Sequence, residues 1–375
     1  MIDVAGKLDE IENRIMSGLK DFQRATVNRI DSLYRNGQKR VLVSDEVGLG
    51  KTLIARGTVA KLAQMQKAGG DNLVKVVYIC SNSAIADQNL NKLMISNEVR
   101  REATSSSRLS MQHLNIFMQE SDKDLLSRFI QLIPLTPDTS FRMTGGAGTV
   151  DERALMFALL KRIPELESWL PQLDVAMRDW AYKAWDWYRE EYEKNVLICD
   201  AQTNGEYLRY MMEHINHTLR AKQKGGDTYL EELIDLCQRI KYSGNRRLND
   251  NGIIGKLRVM FAQISLDKLE PDLVIMDEFQ RFKYLINSDP ETETGMLAAK
   301  FFNAESVRML LLSATPYKMY STLEEIDETQ VDEHYSEFMD VMRFLNGLSI
   351  MHSAITAKSA SIEQNRAQTV GLPFF

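Results

Sequence analysis

The segment Asp45-Glu46-Val47-Gly48-Leu49-Gly50-Lys51-Thr52 constrains this chain more than any other. It follows a β-branched run, RVLVS, and leads into LIARGTVAKLAQ, a stretch of strong helix formers, so it reads as strand, loop, helix. A loop joining a strand to a helix N-terminus turns several backbone N–H groups toward one point, where the helix dipole adds partial positive charge. Such a nest binds phosphate. Gly48 and Gly50 would let the backbone approach without a Cβ clash, with Val47 and Leu49 completing the cradle. Lys51 would neutralise the β- and γ-phosphates, and Thr52 would offer a hydroxyl to Mg2+. The first glycine of the general phosphate-loop pattern is missing, and Asp45 stands in its place. A plain glycine-rich turn is the bland alternative, and it leaves the lysine unexplained.

The rest of a sheet can be traced around this unit. VKVVYICSN, ending at Asn82, is apolar nearly throughout, as strands buried in a parallel sheet are. LNIFM and FIQLIPLTP read as two further strands, and PDLVIMDEF and RMLLLSATP as two late ones. Strands interleaved with helices predict an α/β fold whose parallel sheet opens its ligand crevice at the carboxyl ends of the strands. Two such ends carry chemistry. Asp277 and Glu278 emerge together from a buried strand, which is costly unless positive charge sits opposite. Mg2+ suits that place: Asp277 would hold the ion, and Glu278 would orient and deprotonate an attacking water. Ser313, Ala314 and Thr315 close the next strand, where small hydroxyl residues can hydrogen-bond the acidic pair.

Between these strands, residues 151–256 have few β runs and repeated helical periodicity, predicting a mostly helical insertion. Leu208, Met211, Ile215 and Leu219 form one apolar stripe, and Leu230, Leu233, Ile234, Cys237 and Ile240 another. All four tryptophans lie here. Trp180, Ala184 and Trp187 share a face if one helix carries them, which favours core packing over base stacking. RAKQK and KYSGNRR are local basic patches, read as solvated faces before phosphate contacts. At the amino end, Leu8, Ile11, Ile15 and Leu19 predict an amphipathic helix, and FQRATVNRIDSLYRNG a second that stops at Gly37. Cys80, Cys199 and Cys237 stand singly among apolar residues, as reduced core thiols do. No apolar stretch approaches the ~18 residues of a membrane span and no secretory leader is evident, so a cytoplasmic protein is expected. A net charge of -6 supplies no global field for nucleic acid, which leaves local patches, backbone amides and helix ends to make any such contact.

In order, DEVGLGKT, YICSN, DEFQ and SATP resemble motifs I, Ia, II and III of the superfamily 2 helicases, and the DE-x-GLGKT form is closest to their Swi/Snf-type branch. The resemblance spans Phe22 to Tyr317, interrupted by the helical region. It implies a RecA-like P-loop NTPase lobe flanked by helices. Its motifs would divide the chain into residues 1–150 with motifs I and Ia, the insertion at 151–256, residues 257–320 with motifs II and III, and a helical tail at 321–375. It also implies ATP and Mg2+ as cofactors, hydrolysis of ATP to ADP and phosphate, and coupling to movement on or remodelling of DNA, duplex DNA from the Swi/Snf-like loop. Phe22-Gln23 resembles the upstream glutamine motif, which would give Gln23 to the adenine base. Ser313, Ala314 and Thr315 would couple the ATP state to nucleic-acid grip, while Ser81, Asn82, Thr136 and Thr139 would fall where the family contacts the nucleic-acid backbone.

Two departures stand out. The acidic motif reads Asp-Glu-Phe-Gln, neither Asp-Glu-Ala-His nor Asp-Glu-Ala-Asp, which keeps the ATPase pair but leaves the subfamily open. No glutamine-arginine motif follows Tyr317, although such motors bind ATP between two lobes and take a transition-state arginine from the second. The expectation is that a second RecA-like lobe comes from a longer protein or another chain, and that this chain alone binds ATP but turns it over weakly. Two other readings stay open: a nucleotide-gated module whose insertion holds a protein partner without translocation, and an RNA helicase.

Overall fold

A computed structural model describes residues 4–46, 48–70, 73–81, 83–96, 108–120, 126, 129–141, 146–179, 181, 183–223, 226–243, 251–286, 289, 292–302, 307–313, 339 and 341–346. Five strands, β1 (Arg40–Ser44), β2 (Val74–Ile79), β3 (Ile130–Leu135), β4 (Leu273–Asp277) and β5 (Arg308–Ser313), form one sheet in the order β1-β5-β4-β2-β3. Every pairing is parallel. Alternate residues of each strand therefore enter opposite layers. Val76, Tyr78, Leu132, Ile275 and Leu312 pack beneath the amino-terminal helices α1 (Val4–Ser17) and α2 (Asp21–Arg35), together with α3 (Lys51–Ala68) and α4 (Ser83–Leu93). Val77, Ile133, Met276 and Leu311 face the other layer, with Phe141 and Phe301. This is the α/β sheet flanked by helices that the strand pattern predicts.

LNIFM is not a strand. It lies within helix α5 (Gln112–Glu120), with Leu114 and Phe117 facing one core and Ile116 another. An apolar run buried on several sides loses the period that separates helix from strand.

After the short helix α6 (Pro137–Ser140), a helical region contains α7 (Val150–Leu160), α8 (Leu170–Arg178), α9 (Trp185–Gln202), α10 (Glu206–Leu219), α11 (Tyr229–Ser243) and α12 (Asn251–Leu269). Met211, Ile215 and Leu219 are buried in its core, as are Leu233 and Cys237. The tryptophan face differs from expectation. α8 ends at Arg178, Asp179 takes a left-handed φ of 47°, and α9 starts only at Trp185, so Ala184 precedes the helix that carries Trp187. Trp185 is the buried one, set edge-on against Phe157 with its Nε1–H on Asp174 at 2.9 Å, whereas Trp187 is 62% exposed. Trp180 lies outside the described residues. In the basic patches, Arg220 pairs with Glu165 at 2.7 Å and Lys241 sits over the Trp169 ring, while Lys224 and residues 244–247 lie outside the described residues.

The helix α12 runs through position 256 without a break and joins two cores. Leu257, Phe261 and Ile264 belong to the helical region, whereas Val259, Ala262 and Leu266 pack on the sheet. Glu152 reinforces this junction. As the N3 residue of α7 it completes a capping box with Thr149, and its carboxylate meets Arg258 of α12 at 3.3 Å, with both side chains almost fully buried. Ser110 donates to the same carboxylate at 2.6 Å. After α13 (Lys283–Ile286) and α14 (Glu293–Phe302), β5 completes the sheet. Of the expected tail, only 339 and 341–346 are described, and 341–345 are helical. Among the described residues no helix is long and apolar enough to cross a membrane.

Burial alone would raise the Glu152 carboxyl, but Arg258, Ser110 and Thr149 outweigh it and hold the group below its ordinary range. A depressed folded-state pKa contributes stability that is complete above the unfolded carboxylate range and is lost as pH falls through the folded value. Glu152→Gln leaves Arg258 buried without a counter-charge and is expected to lower unfolding free energy by about 3–5 kcal/mol. Urea denaturation at pH 7 measures this; the difference between variant and wild type should shrink as the solution is acidified below the carboxylate range.

Candidate functional site

Parallel pairing brings the carboxyl ends of β1, β5 and β4 together, with Ser44 opposite Ser313 and Leu312 opposite Asp277. The Asp45 N–H donates to the Ser313 carbonyl at 3.2 Å, so the buried end of β5 braces the loop leaving β1. Gly48 and Gly50 take left-handed φ values of 86° and 81°, where a side chain would be strained. A Cβ at Gly50 would also lie 2.5 Å from the Gln23 amide nitrogen. α3 begins immediately afterwards, and the amides of Lys51 and Thr52, its first two residues, have no preceding helical turn to accept them. Lys51 curls back so that its ammonium donates to the carbonyls of Asp45 and Glu46 at 3.0 and 3.2 Å. Leu49 is 39% exposed.

Gln23 is only 4% exposed, and both ends of its amide are engaged within the fold. Its Oε1 accepts the Lys20 N–H at 3.0 Å, and its Nε2 donates to the Leu49 carbonyl at 2.9 Å. In this arrangement it grips the loop itself and closes the amino end of α2.

Asp277 ends β4. Burial pushes its carboxyl above the usual range and the adjacent Glu278 adds to the push, while the Tyr78 hydroxyl and the charge of Lys51 oppose it. Tyr78, from β2, donates to Asp277 Oδ2 at 2.5 Å. Asn89, from α4, donates both to the Tyr78 hydroxyl oxygen at 2.8 Å and to the same Oδ2 at 3.2 Å. Glu278 adopts φ 55°, rare for a residue with a side chain, and its carbonyl accepts the Arg281 N–H at 2.9 Å. Arg281 in turn reaches Ser81 Oγ, at 3.4 Å, beyond the end of β2.

The residues marked by sequence therefore separate into groups. Gly48, Leu49, Gly50, Lys51, Thr52, Asp277, Glu278 and Ser313 cluster at the carboxyl edge of three adjacent strands, with Gln23 beneath the loop. Ser81 lies at the end of β2, tied to the turn after the acidic pair. Thr136 is buried, its N–H on Ser140 Oγ, and so is not presented at the surface for a backbone contact. Val47, Asn82, Ala314, Thr315 and the Thr139 side chain lie outside the described residues. Tyr78, Asn89 and Arg281 escaped the sequence reading. A lone hydroxyl-bearing ring in the apolar run VVYIC was the available signal for Tyr78; Asn89 on its helix offered none.

Chemically, the loop presents backbone donors and an ammonium group beside two carboxylates. A buried carboxylate whose charged form is disfavoured, close to another, suits a small dication with oxygen ligands. Among the described residues no three or more His, Cys, Asp or Glu side chains converge as a protein-only metal cage. Mg2+ needs none, since it takes one or two carboxylates and completes its shell with phosphate and water oxygens.

A family model described as type III restriction enzyme, res subunit (ResIII), matches residues 17–131, from the end of α1 to the start of β3 and including the glycine turn before α3. No curated protein and no solved structure matches the chain. The match covers less than a third of the chain; with the five-stranded parallel sheet it supports a RecA-like α/β lobe that is similar, over that stretch, to a helicase-type ATP-binding domain.

Proposed function

We propose that this chain is the nucleotide-binding half of a DNA motor, hydrolysing ATP with Mg2+ to drive movement along, or remodelling of, duplex DNA. One observation carries the reading: the phosphate loop ending in Lys51 and the acidic pair Asp277-Glu278 meet at one edge of the sheet, close enough for the Lys51 charge to act on Asp277. In this assignment Gly48, Leu49 and Gly50 cradle the phosphates with backbone amides. Lys51 exchanges its two carbonyl acceptors for the β- and γ-phosphates. Thr52 and Asp277 hold Mg2+, which neutralises charge developing on the phosphate oxygens. Glu278 takes a proton from the attacking water. Gln23 sets the shape of the loop through the Leu49 carbonyl, and Ser313 braces it through Asp45. In this reading Ser81 and Arg281, which meet beyond the end of β2, would contact a strand's phosphates, and the nucleic acid would then touch the turn that carries Glu278. A second RecA-like lobe, supplying an arginine, completes the site for full turnover.

Lys51→Ala is expected to weaken binding of a fluorescent ATP analogue at least tenfold, because the loop loses its only ammonium; equal affinity in variant and wild type overturns the phosphate assignment. Glu278→Gln should bind the analogue normally while turnover falls by about 100- to 10,000-fold, as phosphate release measures. Adding duplex DNA should stimulate phosphate release by the wild type more than RNA of the same length does. Nucleotide binding without stimulation by either polymer would replace the motor with a nucleotide-gated binding module, and stimulation by RNA alone would make it an RNA helicase.

A further inference from the structure

We propose that Tyr78 and Asn89 are positioning residues for the magnesium site, fixing which oxygen of Asp277 meets the ion; this rests on the ATP-site reading above. Tyr78 is 1% exposed in a strand that is otherwise apolar apart from Lys75, yet its hydroxyl ends on the one carboxylate that closes β4. The Tyr78 hydroxyl gives its single proton to Asp277 Oδ2 at 2.5 Å. Asn89 Nδ2 lies 2.8 Å from the Tyr78 oxygen and 3.2 Å from Oδ2, and those two atoms are too close together to take one amide hydrogen each, so they share one Asn89 N–H. Two donors on one oxygen leave Oδ1 as the oxygen that neither holds and stop the carboxylate from rotating. A metal ligand must be oriented, and these two side chains hold it in place from outside the coordination shell.

The arrangement has a second consequence. Tyr78 lies three residues before Ser81, and Asn89 lies on the helix that opens two residues after it. The carboxylate for the ion is thus held by the strand and helix on either side of the loop where Ser81 meets Arg281.

Tyr78→Phe and Asn89→Leu keep most of the side-chain volume and remove the donors. Binding of a fluorescent ATP analogue is measured across a Mg2+ titration and again in EDTA, with thermal melting to confirm a folded protein. Each variant should need about tenfold more Mg2+ for half-maximal binding, while its affinity for the analogue in EDTA matches wild type, because Lys51 and the loop are untouched. The double variant should need little more Mg2+ than either single, since both donors act through one oxygen. An unchanged Mg2+ midpoint in folded variants overturns the positioning role. So does an equal loss of binding with and without Mg2+, which would mark general damage to the pocket. A wild type that binds no analogue with or without Mg2+ overturns the ATP-site reading, and this inference with it.

Discussion

Parallel pairing of β1 with β5 and of β5 with β4 is the constraint on which the rest of the molecule depends. Hydrogen bonding in that register sets Ser44, Ser313 and Asp277 on one edge, whatever the intervening chain does. Between β3 and β4 that chain includes six helices from α7 to α12, yet Asp277 still arrives two strands from the phosphate loop. Parallel strands require crossovers, and a crossover can be lengthened by helices without disturbing the edge it returns to. The edge that carries Ser44, Ser313 and Asp277 is thus insulated from the size of the insertion.

The insertion is nevertheless not a loose appendage. α12 turns one face to the helical core and another to the sheet, so neither can shift without disturbing the other. The Glu152–Arg258 pair adds direction to that apolar contact. A buried pair is seldom a large net source of stability, but breaking it is costly, which specifies one docking of α7 against α12 over neighbouring ones. Arg258 also donates to the Gly146 carbonyl, and a Cβ at Gly148 would lie 2.3 Å from its guanidinium, so the glycine-rich segment before α7 lets the arginine lie against the backbone.

What the sequence reveals here follows the range of the interaction concerned. The glycine turn before α3, the strands around it and the acidic strand end were legible because each is a local pattern: a β-branched or apolar run, a turn that requires glycine, a helix that starts at a defined residue. The fold class followed from their order. Local patterns failed where burial erased periodicity, as in LNIFM, and where one residue broke a helix, as Asp179 does ahead of Trp185. They could not report contacts between distant segments. Gln23 resembles an adenine-reading motif in sequence, but only the fold shows its amide joined to Lys20 and Leu49. The convergence of Tyr78 and Asn89 on Asp277 joins a strand, a helix and another strand separated by about 190 positions, and no spacing encodes it.

Glu278 shows why such a site must depart from regular structure. Had β4 continued by one residue, Asp277 and Glu278 would have pointed to opposite faces of the sheet, since strand side chains alternate. The left-handed backbone at Glu278 ends that alternation, at a cost on the order of 1–2 kcal/mol for a residue with a side chain. That conformation persists because its neighbours determine it. Phe279 is completely buried in the layer beneath the sheet, and the Arg281 N–H closes a turn onto the Glu278 carbonyl. Burial of a phenylalanine exceeds the backbone penalty, so the core holds the acidic pair in a geometry that the pair's own backbone would not choose.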